Sequence, residues 1–427
     1  MMQTLREKTY SLLRWGERFT KTDMIYLAKG GSLLGIGQVV SSFVAFLLSV
    51  AFANLFPPEA YGVYKYILSV IAITGAFALT GMDTAVAQAV ARGLDGTLRT
   101  GFRAMFRWTL ITSGITTCVA LYYFLNGNSA LAWSLIIAAL AMPILKSAVL
   151  YNGFLIGKKD FGRKVRFGMV YDSIPAMCIA ASLFFTQSPL IVVLVYFISY
   201  TVTALVLYHM AQKTILPDAP SDPDTQSYSL HLSAMNILGS VSFQIDKVLT
   251  FHYLGATQLA LYAFALAVPG QIRQIQKHLA TLMLPKFSEQ SFSAIQKSVG
   301  RKMFLFFIAM ASITLLYILA APFIFKFFFP QYIGAIFYSQ LFSLVLLTSP
   351  SIFFKQALTA HRKTDRLYII NVGIPLIKIV ALFIFVPLFG ITGAIISLLT
   401  TELIGLLISG ILFYRIKATY EIETIGA

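Results

Sequence analysis

The sequence is poor in charge. Asp, Glu, Lys and Arg together make up only 12% of its 427 residues, and 17 acids stand against 33 bases. With 58% hydrophobic residues and a mean hydropathy of +0.77, a water-soluble globule of this chain would have too little polar surface to cover itself. Cysteine is nearly absent. Cys118 and Cys178 both fall in apolar stretches with no metal-like spacing, which excludes a disulfide framework and gives no reason to expect a metal site. No glycine-rich phosphate loop is present, so ATP hydrolysis is not supported and no cofactor is expected. The first 29 residues lack a continuous apolar core and a small-residue cleavage site, so no cleavable signal is expected.

What remains is a succession of about twelve apolar segments of spanning length: 32–55, 62–88, 105–126, 131–157, 168–186, 190–212, 231–254, 258–284, 303–328, 335–358, 367–388 and 390–414. Lys and Arg fall on alternate connections between them, whereas the turns near 56–61, 126–130, 187–189, 254–258, 329–334 and 388–390 contain neither. Basic residues are retained on the cytoplasmic side, which predicts a multi-pass cell-membrane protein with both termini inside. The net charge of +16 then reflects topology, and no nucleic-acid partner is expected. Residues 1–29 place Leu5, Leu12, Gly16 and Phe19 on one helical face and Arg14, Arg18 and Lys21 opposite, the pattern of a cytoplasmic amphipathic helix. The polar run from Pro217 to Asp224 marks a linker. The expected domains are a lobe at 30–213, a cytoplasmic linker at 214–230, a second lobe at 231–414 and a tail at 415–427. Sliding the chain by 198 residues superposes Tyr64 on Tyr262, Ser42 on Ser240 and Gln38 on Asn236, as parallel six-span repeats would. The expected fold is therefore an all-α polytopic protein with two parallel six-helix lobes around a central cavity.

Polar residues inside these spans are the candidates for function. Lys65, Ser69, Ala72, Ala76, Thr80 and Asp83 share one arc of the second span; Ser233, Asn236, Ser240, Gln244 and Lys247 share one of the seventh; Gly31, Gly35, Gln38, Ser42 and Ser49 share one of the first. Such stripes either line a watery cavity or pack closely against neighbouring helices. Lys65, Lys146, Lys247 and Lys378 all lie within spans, where a charge costs at least about 2.5–3.5 kcal/mol and calls for a partner or water. They are expected either to form a ladder of positive charge along one cavity or to neutralise buried acids, with snorkelling open to Lys65. Asp83, Asp246 and Glu402 are candidate coupling or structural acids. Asp246 and Lys247 are neighbours and so are not automatically paired, and Asp83 stands about 27 Å along the helix from Lys65. Asp172 is expected near Arg166 or water. Pro269 and Pro375 are expected to kink or weaken their helices.

The segment Ala53-Asn54-Leu55-Phe56-Pro57-Pro58-Glu59-Ala60-Tyr61-Gly62, with Gly81-Met82-Asp83-Thr84-Ala85 and Ala91-Arg92, resembles the opening of the polysaccharide and oligosaccharide flippases, O-antigen flippases among them. These belong to the multidrug/oligosaccharidyl-lipid/polysaccharide exporter superfamily. Asp246-Lys247, Tyr253-Leu254-Gly255, Leu261-Tyr262, Leu284-Pro285-Lys286-Phe287 and Gly390-Ile391-Thr392-Gly393-Ala394 resemble later helices of the same proteins. The resemblance implies a MATE-like fold that alternates access across the membrane and flips a polyprenyl-pyrophosphate-linked oligosaccharide. It also implies membrane lipids as surroundings, with glycosyltransferases or a glycan polymerase as partners. The polar arcs and in-span lysines make Lys65, Lys146, Asn236, Ser240, Gln244, Lys247 and Lys378 the expected cavity contacts for such a substrate. A cation-coupled multidrug antiporter typically carries an acid in its first helix, and 32–55 has none; a lipid II flippase usually has fourteen spans. A membrane glycosyltransferase or polymerase needs a longer outward loop than any turn here supplies, so an enzyme is not expected.

Overall fold

The computed structural model describes residues 24–416, and all regular structure among them is helical. The expected amphipathic segment before residue 24 and most of the tail lie outside the described residues. The order is α1 (Met24–Leu55), α2 (Pro58–Thr74), α3 (Met82–Ala91), α4 (Thr97–Leu125), α5 (Ser129–Ala148), α6 (Tyr151–Gly157), α7 (Phe161–Ser182) and α8 (Pro189–Gln212). The second half holds α9 (Thr225–Leu254), α10 (Ala256–Ser288), α11 (Phe292–Phe328), α12 (Ile336–Ser343), α13 (Ser351–Ala360), α14 (Thr364–Tyr368) and α15 (Ile374–Tyr414). Local chemistry sets the starts. Pro58 opens α2 where its missing N–H costs nothing, while the side chains of Asn128, Asp160 and Ser291 accept the N–H groups of Leu131, Arg163 and Ala294.

Eight helical stretches among the described residues are long and apolar enough to cross a bilayer. The chain is a multi-pass membrane protein. One of the eight, 364–414, is a hairpin: Gly390 takes φ 59° and ψ −136°, open to glycine alone, and the chain reverses there. A Cβ on Gly393 would lie 1.9 Å from the Phe385 carbonyl oxygen and one on Gly405 would lie 3.1 Å from Ile374, so the two arms run antiparallel in close contact. The expected turn at 388–390 is thus present. Helices α7, α9 and α10 are also long but more polar, with Asp172 in α7, Asn236, Gln244, Asp246 and Lys247 in α9, and Gln271, Arg273 and Gln274 in α10.

The second expected span, 62–88, is not one helix. After α2 the chain passes through a 3-10 turn, Gly75–Phe77, and an extended Ala78 before α3 begins. Gly75 and Gly81 let neighbours approach closely at the break, Met142 on one side and Leu232 on the other. Pro375 follows a π-helical turn, Ile369–Gly373, consistent with its missing N–H widening the helix. Pro269, by contrast, lies in an unbroken α10. The carbonyl it leaves unbonded, that of Ala265, accepts the Ser339 hydroxyl at 2.7 Å. Pro143 and Pro322 are treated the same way. Ser113 donates to the Ala139 carbonyl at 2.7 Å, and Gln340 to that of Ile318 at 2.9 Å. In an apolar surround each of these carbonyls would otherwise be an unmade hydrogen bond.

The halves meet at the end of the molecule whose turns lack Lys and Arg. Gly62 sits so close to Ala256 that a Cβ would fall 1.8 Å from its carbonyl oxygen. Tyr66 stacks on Phe251 with centroids 3.9 Å apart, Tyr61 packs on Phe264 at 4.8 Å, and Asn54 donates to the Phe328 carbonyl at 3.0 Å. One hydrophobic core runs through both halves there, while a second, built on Phe292, Ile295, Val299, Phe354, Leu358 and Phe413, is confined to the basic end of the second half. At that basic end the halves are tied by α3 and α9, through Gly81 to Ser233 and Gln88 to Tyr228, and by the linker. Arg92 pairs with Asp222, and Arg99 donates to the Pro217 carbonyl.

Candidate functional site

The break between α2 and α3 decides where the polar arc of this segment faces. Ala72, Gly75 and Thr80 line two adjoining chambers. The first, about 540 Å3, lies within the first half and also takes Asp83, Asn152, Tyr171 and Tyr196. The second, about 490 Å3, lies between the halves and takes Asn236, Gly239, Ser240 and Phe243 from α9. Lys146 and Gln244 line both, so they stand at the junction. These volumes are in the range of small-molecule sites.

Lys146 is in the last turn of α5, where the helix dipole favours a cation. It has no ion-pair or hydrogen-bond partner among the described residues. The other span lysines are placed differently. Lys247 curls back along its own helix, its Nζ 3.0 Å from Gln244 Oε1, 3.4 Å from Asp246 Oδ1 and 5.2 Å from the Phe243 ring centroid. Adjacent positions do not face one another by helix geometry alone, and the long lysine stem makes this contact. Lys378 approaches the same Phe243 ring, at 6.0 Å. Phe243 thus screens both lysines at the chamber wall. Lys65 lies over the Tyr61 and Tyr64 rings at 5.2 and 6.0 Å, a turn from the Gly62 contact, and lines neither chamber.

Each candidate acid has a partner. Asp246 is 2% exposed and accepts the Tyr262 hydroxyl at 2.7 Å. Asp83 accepts the Gly153 N–H at 2.7 Å and presents its remaining edge to the first chamber. Asp172 accepts the Ser41 hydroxyl, not Arg166. Glu402 pairs with Arg273 at 2.5 Å. Arg273 is not among the sequence candidates; it lies within α10, which continues about four turns beyond it. The tyrosines were also missed. Tyr196 and Tyr200, at i and i+4 on one face of an apolar span, were the available signal for half of that tyrosine wall.

Comparisons with known proteins agree with this architecture. The family model described as "Polysaccharide biosynthesis protein" matches residues 27–291. Among solved structures, the chain is similar to the inward-facing conformation of a multidrug resistance MATE family transporter of the MOP superfamily: TM-score 0.68, 12% identity, covering 90% of this chain and 99% of that one. The outward-facing conformation of such a transporter matches with TM-score 0.64, 14% identity and coverage of 90% and 94%. Lipid II flippase MurJ, inward closed, matches with TM-score 0.62, 14% identity and coverage of 88% and 86%. No curated protein matches the chain by sequence. The fold is MATE-like, and the chain belongs to the polysaccharide biosynthesis protein family.

Proposed function

We propose that the chain is a flippase that moves a polyprenyl-pyrophosphate-linked oligosaccharide from the inner to the outer leaflet by alternating access, for assembly of a surface polysaccharide. The observation that carries this reading is Lys146, an ammonium without a counter-ion among the described residues, at the junction of two chambers that carry polar groups inside an apolar helical body. A charge left without a counter-ion at bilayer depth is costly unless water or an anion reaches it, and a pyrophosphate is such an anion. The lipid tail stays in the bilayer, so the protein needs only to shield the headgroup; the reading requires no nucleophile and no enzymatic step. In the same reading the basic end is cytoplasmic, two six-span lobes divide at the linker, and the contacts around Gly62 seal the outer end. Asn236, Ser240, Gln244 and Lys146 are headgroup contacts; Lys247, Lys378 and Lys65 raise the positive potential beside them; Asp83, Asp246 and Glu402 set the local charge balance.

Two measurements test this. In proteoliposomes containing the purified chain and a fluorescent polyprenyl-pyrophosphate disaccharide, the inner-leaflet label is expected to become accessible to an external membrane-impermeant quencher faster than in protein-free vesicles. Equal rates, together with ion-driven efflux of a cationic dye, would reassign the chain to the antiporters. For topology, Ser221→Cys and Asn128→Cys in a background lacking Cys118 and Cys178 are expected to label from the cytoplasmic and outer faces respectively. Labelling of both from one face would overturn the twelve-span arrangement.

A further inference from the structure

Resting on the flippase reading, we infer that the two chambers divide the headgroup: the glycan occupies the tyrosine-lined chamber of the first half, and the pyrophosphate lies between the halves on Lys146. The chambers differ in charge. Among the described residues, the one between the halves contains Lys146 as its only ionic group, flanked by Asn236, Ser240 and Gln244, with no acid on its wall. The one in the first half shares Lys146 but adds the Asp83 carboxylate. A carboxylate repels phosphate and accepts hydrogen bonds from hydroxyl groups, so the acid-bearing chamber suits a sugar better than a pyrophosphate.

The wall of that chamber is also suited to sugar. Tyr171 and Tyr196 line it, and their hydroxyls have no hydrogen-bond partner among the described residues. The rings are braced from behind. Tyr200 packs on Tyr196 at 4.6 Å and on Tyr171 at 5.1 Å, Tyr64 meets Tyr196 edge-on at 6.3 Å, and Tyr151 meets Tyr171 at 6.5 Å. A braced aromatic ring offers an apolar face for the C–H side of a pyranose and an unspent hydroxyl for its polar edge. Met105, Met142 and Leu145 close the remaining wall, so the chamber is amphipathic in the manner of a sugar ring.

The test separates the two subsites by using two probes on detergent-purified protein: a dodecyl pyrophosphate, and the same molecule bearing an N-acetylhexosamine. The sugar-bearing probe is expected to bind the wild-type chain more tightly. Tyr196→Ala and Tyr171→Ala are expected to weaken the sugar-bearing probe by about tenfold while leaving the bare pyrophosphate unchanged. Lys146→Gln is expected to weaken both probes in parallel. Tyr196→Phe keeps the ring and separates stacking from hydrogen bonding, and a thermal melt of each variant checks folding. If the tyrosine variants fold and bind both probes as the wild type does, or lose both equally, the division of the headgroup is wrong while the flippase reading stands. If the wild-type chain binds neither probe, the flippase reading itself fails.

Discussion

Lys146→Ala is expected to reduce flipping of lipid-linked oligosaccharide by about 10–100-fold, because a hydrogen bond to a charged group contributes about 1.5–3 kcal/mol. The variant is informative because Lys146 has no acid to orphan. Removing it leaves no uncompensated acid among the described residues and removes an unpaired, chamber-lining charge from the membrane interior, so the protein is expected to be at least as thermostable as the wild type. Loss of transport with retained or raised stability is the signature of a binding residue. Lys146→Arg keeps the charge and is expected to retain most of the activity, whereas Lys146→Glu is expected to abolish it by repelling the phosphate. Quencher-based flipping in proteoliposomes, with melting measured on the same preparations, gives both numbers. Full activity in Lys146→Ala would remove the cationic junction from the mechanism.

The second large effect is expected at Gly62. Any side chain there meets the backbone of Ala256, with a Cβ 1.8 Å from the carbonyl oxygen and 2.5 Å from the carbonyl carbon, so no rotamer change relieves the clash. Gly62→Val is expected to prop the halves apart at the end free of Lys and Arg, separating the Tyr66–Phe251 stack and the Asn54–Phe328 contact. In the cysteine-free background, a short bifunctional thiol reagent is expected to bridge Asn54→Cys and Phe328→Cys, and Gly62→Val is expected to abolish the bridge and transport together. Gly334→Val is the control, because a Cβ there meets only Leu261, at 3.8 Å. An intact bridge and normal transport in Gly62→Val would show that this contact plays no part in the cycle.

How much of this was legible in the sequence depends on how local the cause was. Hydropathy placed most of the helical stretches and the turn at Gly390, because spanning length and a break in apolarity are properties of the chain alone, but it did not show the interruptions inside 62–88, 131–157 and 335–358. The arc of α9 was equally readable: Asn236, Ser240 and Gln244 recur with the helical period and face the chamber together. The arc of the second span was only half readable. It assumed a continuous helix, whereas the chain breaks at Ala78: Ala72 before the break and Thr80 and Asp83 after it line the chambers, while Lys65 lies among tyrosines. Pairing was the least readable property. Lys146, Lys247 and Lys378 look alike in sequence, yet Lys247 folds back on Asp246 and Phe243 of its own helix, Lys378 reaches Phe243 from another helix, and Lys146 has no such partner among the described residues. The tyrosine wall was missed because its rings come from α7 and α8, and no single helix shows it.

The bonds that complete the carbonyls opposite Pro143, Pro269 and Pro322 bear on how such a chain can vary. Each joins two positions far apart in sequence, Pro143 with Ser113, Pro269 with Ser339, and Pro322 with Gln340. Changing the proline to alanine restores the backbone's own donor and competes with the hydroxyl or amide for the same oxygen. Changing the donor to alanine leaves that oxygen bare. Proline and donor are therefore coupled through one oxygen, and the two changes are not equivalent. All three pairs join helices within the same half, at α4 with α5, α10 with α12 and α11 with α12, so they brace the interior of each half and none of them crosses between the halves.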